Sequence, residues 1–190
     1  MALGDAMAER QWLLLVVVVA QAALFTLALP GSLALWVVAP FYPPLLSTIT
    51  LTLGSTLGAV GAYHFSLHFG RAAITPESRW VRLLSRHGDF LSQCAVRAMP
   101  GFPHAPINYA GGLLKLPLFS FALAACIGLG LKSGVYSFAV YEAVEVAEEG
   151  RIDRGAIGVV FVLFVLFLSG AALRHWFVNR EEAESSEQGK

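Results

Sequence analysis

The chain has 190 residues, 56% hydrophobic and only 14% charged, with 13 Lys+Arg balanced by 13 Asp+Glu. Soluble domains carry about 25% charged residues, so this shortfall, with a mean hydropathy of +0.65, excludes an ordinary soluble globule and describes a one-domain integral membrane protein. Zero net charge leaves no electrostatic footprint for nucleic acid. Cys94 and Cys126, far apart in apolar surroundings, read as free thiols rather than a disulfide or a zinc framework.

Residues 1–11 read as a cytoplasmic N-terminus and residues 12–30 as a first span. The run Trp12–Leu29 is nearly long enough to cross a bilayer alone. Asp5, Glu9 and Arg10 before it lack the positive character of a signal peptide, and the run exceeds the usual apolar region of one, so the span is expected to be retained. Pro30 and Gly31 end it. Ser32–Val38 is apolar but short, and Pro40, Pro43 and Pro44 stop it, so residues 31–44 read as a re-entrant half-hairpin. Residues 45–69 form the next span. Gly54, Gly58 and Gly61 fall on one face of it and suit close helix packing.

Residues 75–88 predict an amphipathic helix, with Thr75 as N-cap, Pro76 at the first helical position and Glu77 in the first turn. Arg79, Arg82 and Arg86 lie on one side and Trp80, Leu83 and Leu84 on the other, as in a helix resting on the headgroups. A solvated loop helix is the alternative. Asp89 caps the following segment. Residues 90–116 read as a second re-entrant hairpin, 117–141 as a span with its junction at Leu116-Pro117, and 142–154 as an acidic connector. Residues 156–178 form the last span, and 179–190 a charged tail expected to be disordered. The arginine-rich 70–89 interval belongs in the cytoplasm. That puts both termini there, in the inner membrane if the source is bacterial, with the turns at Pro43 and Glu148 outside.

The stretch that departs most from a lipid-adapted chain is Arg97 to Gly112, which holds a guanidinium, Pro100, Pro103 and Pro106, Asn108, Tyr109 and the pair Gly111-Gly112. Prolines remove backbone donors, and broken backbone at membrane depth survives only where protein or water satisfies it. An intramembrane arginine is a functional candidate, because its permanent charge and forked donors suit a phosphate or carboxylate. A role clamping the hairpin through backbone carbonyls is the competing assignment. Asn108 and Tyr109 offer an amide and a hydroxyl beside the breaks. In the first segment Pro40 and Pro43 repeat the Pro-x-x-Pro spacing of Pro100 and Pro103, with Ser47 and Thr48 beside them. Paired broken segments in two halves point to a central transport site. Lys132 and Glu142 are candidates for a proton or charge relay. His64 and His68 are four apart on one helix but lack further ligands, so no metal site is expected. No nucleophile–base or phosphate-loop pattern is present, so neither an enzyme nor a cofactor is expected.

The Arg97, Pro100, Pro103, Asn108, Tyr109, Gly112 pattern, with Phe119 as the aromatic before the next helix and Gly70-Arg71 after the preceding span, resembles the DedA / SNARE-associated Golgi protein superfamily, the VTT domain. The likeness runs from about Leu33 to Val178. It lacks the second motif arginine of bacterial members, which falls at Pro103, and has no acid between Pro40 and Thr50. Both departures place it nearer the Golgi-type Pro-x-x-Pro branch and count against proton coupling through a first-hairpin carboxylate. The resemblance implies an all-α polytopic membrane protein, an inverted repeat of transmembrane helices with two facing re-entrant hairpins. It also implies that phosphate-bearing lipids are its partners, moved between leaflets in a scramblase-like role in membrane homeostasis. A proton-driven solute transporter and a non-transporting scaffold are the alternatives, and a homodimer could complete the groove.

Overall fold

The computed structural model describes residues 11–149 except 30, 32, 70–73, 76, 77 and 101, together with 157, 158, 161, 162, 164, 165 and 168. Among these residues every regular element is a helix: α1 (Gln11–Thr26), α2 (Leu33–Val38), α3 (Pro44–Phe69), α4 (Arg79–Arg86), α5 (Phe90–Ala98), α6 (His104–Leu113) and α7 (Leu118–Glu149). The described residues between 157 and 168 are helical and exposed, and the remainder of the 156–178 segment, with both chain ends, lies outside the described residues.

Among the described residues two helices are long and apolar enough to cross a membrane, α3 and the stretch Leu118–Val146 of α7. At ~1.5 Å per residue, the 26 residues of α3 extend about 39 Å, beyond the ~30 Å hydrocarbon layer. They pack along one another, with α1 laid on α3, α5 on α7, and α6 on α3. The glycine stripe of α3 explains the first of these contacts. A Cβ at Gly54 would stand 2.8 Å from the Gln21 amide oxygen, and one at Gly58 would stand 2.8 Å from the Ala22 carbonyl oxygen.

Burial is inverted relative to a water-soluble protein. Ser47, Ser55, Ser66, Gln93, Arg97, Asn108 and Ser137 are buried, whereas Leu15, Val19, Leu45, Leu57, Phe119 and Leu131 are exposed. Such an apolar exterior would be an association site in water. Against lipid it is the stable arrangement, because small and polar side chains supply helix contacts that apolar ones cannot improve on.

The two proline-rich segments both lie between helices. α2 has six residues, about 9 Å at ~1.5 Å each, too short to cross. It ends at Val38, and the chain turns through Pro40 and Pro43 before Pro44 starts α3, where its missing N–H costs nothing. α5 and α6 are separated at Met99–Pro103, and α5 is started by the Asp89 carboxylate, which accepts from the Ser92 N–H at 3.0 Å.

Three sequence expectations change. Helix α4 begins at Arg79 with Ser78, not Thr75, as its N-cap, the Ser78 hydroxyl accepting from the Trp80 N–H; Pro76 and Glu77 lie outside the described residues. Its apolar side is covered by protein rather than resting free on the headgroups: Val81 and Leu84 pack with Val96, Phe102, Ile107 and Ala110 of the second hairpin segment, leaving Arg79, Arg82 and Arg86 exposed. Third, residues 142–149 are not a connector. α7 continues through them to Glu149, since Glu, Ala and Val offer no break before Gly150.

Candidate functional site

A cavity of about 460 Å³ lies between the two broken segments. Gln21 and Phe25 of α1, Leu35 of α2, Ser55 of α3, His104 at the start of α6 and Lys132 of α7 are among its walls. The Lys132 ammonium stands 2.9 Å from His104 Nε2. An ammonium has donors only, so Nε2 accepts and the ring proton sits on Nδ1. That Nδ1 is buried without a partner. The Phe25 ring stacks on the imidazole at 5.9 Å between centroids and 22° between planes, which fixes its orientation. Gln21 Nε2 donates to the Ser55 hydroxyl at 2.8 Å, leaving Gln21 Oε1 without a partner. Among the described lining residues there is no Asp or Glu, so no described residue of the wall neutralises Lys132.

Helix α6 opens onto the same space, since Pro103, His104 and Ala105 all line it. Pro103 stands at its N-cap and supplies no side-chain hydrogen bond. The first N–H groups of a helix have no intrahelical acceptor, so those of His104 and Ala105 add donors and the positive end of the helix dipole.

Arg97 occupies a different position. It is 1% exposed and does not line the cavity. Its Nη1 donates to the carbonyl and to the side-chain oxygen of Gln93, each at 3.3 Å. The guanidinium lies 4.4 Å from the ring centre of Phe121. Nε and Nη2 have no partner. Gln93 is itself tied by its Nε2 to the Gly88 carbonyl at 2.8 Å. The arginine is thus built into the seam between α5 and α7.

The VTT domain model matches residues 29–142. The chain belongs to the VTT domain family. It is an integral membrane protein of the superfamily that its Arg97–Gly112 stretch resembles. It is also 32% identical over 128 residues to "Transmembrane protein 41 homolog" of Caenorhabditis elegans, an overlap covering 63% of this chain and 52% of the relative, so the chain spans about half that relative's length. No solved structure matches it.

Within this VTT domain the expected site residues divide into three groups. Lys132 faces the cavity, as does Pro103. Arg97, Asn108, Tyr109, Gly111 and Gly112 form the seams around it. The Tyr109 hydroxyl donates to the Thr26 carbonyl at 2.6 Å, joining α6 to the end of α1. Asn108 is buried with Nδ2 unpartnered. Gly111 lies against the Phe121 ring and Gly112 against the Tyr63 backbone and Ser66 hydroxyl, so neither leaves room for a side chain. The third group serves its own backbone: Ser47 donates to the Tyr42 carbonyl at 3.2 Å and Thr48 to the Pro44 carbonyl at 2.7 Å, beside the Pro40–Pro43 turn. Glu142 is ten positions beyond Lys132 on α7, about 15 Å along the helix at ~1.5 Å per residue, and the two are not brought together.

The aromatic that serves the motif is Phe121, fully buried between Arg97 and Tyr63, rather than Phe119, which is 81% exposed. Pro117 precedes α7, and two residues change the facing of a helix by more than half a turn. His64 and His68 bond within their own helix, and among the described residues no group of ligands could hold a metal. Sequence reasoning missed His104 as a site residue, although it follows Pro103 directly, and it missed Gln21, Ser55 and Tyr136, which carry no local motif.

Proposed function

We propose that this VTT domain moves phosphate-bearing lipids between the two leaflets without altering them chemically. The observation that carries the reading is the cavity itself. It is flanked by both broken segments, walled mainly by apolar side chains, and holds one cation with no carboxylate in its described lining. A void of this kind, with a cation and a few polar side chains in an otherwise apolar wall, lets a charged headgroup leave water without entering hydrocarbon, while its acyl chains remain among the exposed apolar side chains outside. The role implied by the family agrees with this. The α2–α3 and α5–α6 breaks act as facing re-entrant hairpins, entering from opposite sides, and Arg79, Arg82 and Arg86 rest on the anionic cytoplasmic leaflet. A proton relay from Lys132 to Glu142 is not favoured, because the two groups are about three turns apart.

The test is leaflet exchange. The full chain is reconstituted in liposomes with a headgroup-labelled fluorescent phospholipid and treated with an impermeant reductant. Bleaching beyond the outer-leaflet half is expected for the wild type, and a return to the protein-free plateau is expected for Ser133→Trp, which fills the cavity. A wild-type plateau at one half, in vesicles shown to contain folded protein, would sink the proposal.

A further inference from the structure

The cavity holds an anion seat that the hairpin motif does not contain. Two positive elements converge there from separate parts of the chain: the Lys132 ammonium from α7 and the open first turn of α6 at His104 and Ala105. A buried cation with no counter-charge is costly on its own, and a helix N-terminus with a lysine beside it is a ready site for phosphate. His104 holds the ammonium at 2.9 Å and is in turn braced by Phe25. Arg97, by contrast, does not line the cavity: its Nη1 is held by Gln93 and its face by Phe121.

We infer that Lys132, positioned by His104 at the N-terminus of α6, is the seat of the lipid phosphate, and that this seat selects headgroups with net negative charge. The inference rests on the proposed lipid-moving role and deepens it. An ammonium-bearing headgroup would bring a second cation into a space where the described lining offers no carboxylate to receive it, and like charges in low dielectric repel strongly. A hydroxyl-bearing anionic headgroup finds what it needs. Lys132 and the α6 turn take the phosphate. Gln21, Ser55 and Ser133 line the same wall and supply polar side chains for a headgroup hydroxyl. The volume, about 460 Å³, falls within the ~300–1,000 Å³ of small-molecule sites and suits a headgroup without its chains.

Binding of short-chain lipids to the purified full chain in detergent tests this, by calorimetric titration with dioctanoyl phosphatidylglycerol, dioctanoyl phosphatidylcholine and inorganic phosphate. The wild type is expected to prefer the anionic lipid over the zwitterionic one by about tenfold or more, with inorganic phosphate weaker than the anionic lipid. Lys132→Met should remove that preference, and Lys132→Arg should keep it within about threefold, because it restores charge at the same place. Equal affinity of the wild type for the two lipids overturns the inference, as does an unchanged preference in folded Lys132→Met. Inorganic phosphate binding tightly without displacement by the lipid overturns it too, since the seat then serves a free anion. If Lys132→Met does not fold, the wild-type preference and the Lys132→Arg variant decide. Binding without leaflet exchange would remove the transport reading, whereas exchange that is indifferent to Lys132→Met would remove the seat and leave transport standing.

Discussion

Arg97 and Lys132 are both cations inside the helix bundle, and neither has a carboxylate partner among the described residues, yet the two regions around them are built for different ends. Around Arg97 the structure is closed: Gln93 takes Nη1 through two acceptors, Phe121 covers the guanidinium face, and a Cβ at Gly128 would stand 2.6 Å from the Cys94 carbonyl oxygen. Around Lys132 there is space, one imidazole contact and the mouth of a helix. The more conspicuous cation in the sequence therefore holds α5 against α7, and the less conspicuous one meets the void. Charge at membrane depth marks a site only when the packing leaves it somewhere to act.

The sharpest way to break this contrast is to empty each position in turn. Arg97→Ala removes the largest fully buried side chain among the described residues, leaves a void against Phe121 and strands Gln93. It is expected to cost about 2–5 kcal/mol in thermal or denaturant unfolding in detergent. Lys132→Met, which conserves volume, should change stability by less than about 1.5 kcal/mol while weakening anionic lipid binding. If the two variants exchange these phenotypes, the assignment of seam and seat is reversed.

Gly112→Val tests the seam from the α3 side. Its side chain would meet the Tyr63 backbone, which cannot swing aside as a side chain can, so a loss of about 1–3 kcal/mol or more is expected. A fully stable Gly112→Val variant would mean that α6 and α3 do not pack as described. A smaller effect is expected for Tyr109→Phe. Removing the hydroxyl that reaches the Thr26 carbonyl at 2.6 Å should cost about 0.5–1.5 kcal/mol and loosen α6 from α1, read as faster proteolysis near the end of α1.

The smallest effect lies outside both regions. The Ser92 side chain, then the Ser92 N–H, hold the exposed Asp89 carboxyl below its ordinary 3.8. A carboxyl depressed on folding contributes above its unfolded value, and that contribution disappears as pH falls through the folded one. The cap of α5 should therefore weaken only in acid below 3.8. Asp89→Asn should flatten that dependence in a pH series of unfolding curves, and an unchanged acid limb would show that Asp89 does not cap the helix in solution.

Where the helices break was legible in the chain, because breaking is local. Pro40, Pro43, Pro100 and Pro103 act on their own backbone whatever surrounds them, and both pairs lie between helices. The arginine side of α4 was legible for the same reason, as a matter of period. The identity of its N-cap was not, since Thr75 and Ser78 offer similar chemistry and only the helix start distinguishes them. Nor did the acids of residues 142–149 signal a connector, because charge does not end a helix whose residues favour it.

The sequence by itself determined that this is a helical membrane protein with two interrupted segments and a motif of the VTT family, through composition, apolar length and the positions of Pro and Gly. Only the tertiary structure decided which polar groups meet. Lys132 reaches His104 across 28 positions of chain and Tyr109 reaches Thr26 across 83. Phe121 rather than Phe119 covers Arg97, and the apolar side of α4 turns toward the hairpin core. The physical reason is that facing depends on helix phase accumulated from each break and on which small residues let backbones approach. Neither is a property of any short stretch, so the seat at Lys132 has no motif of its own.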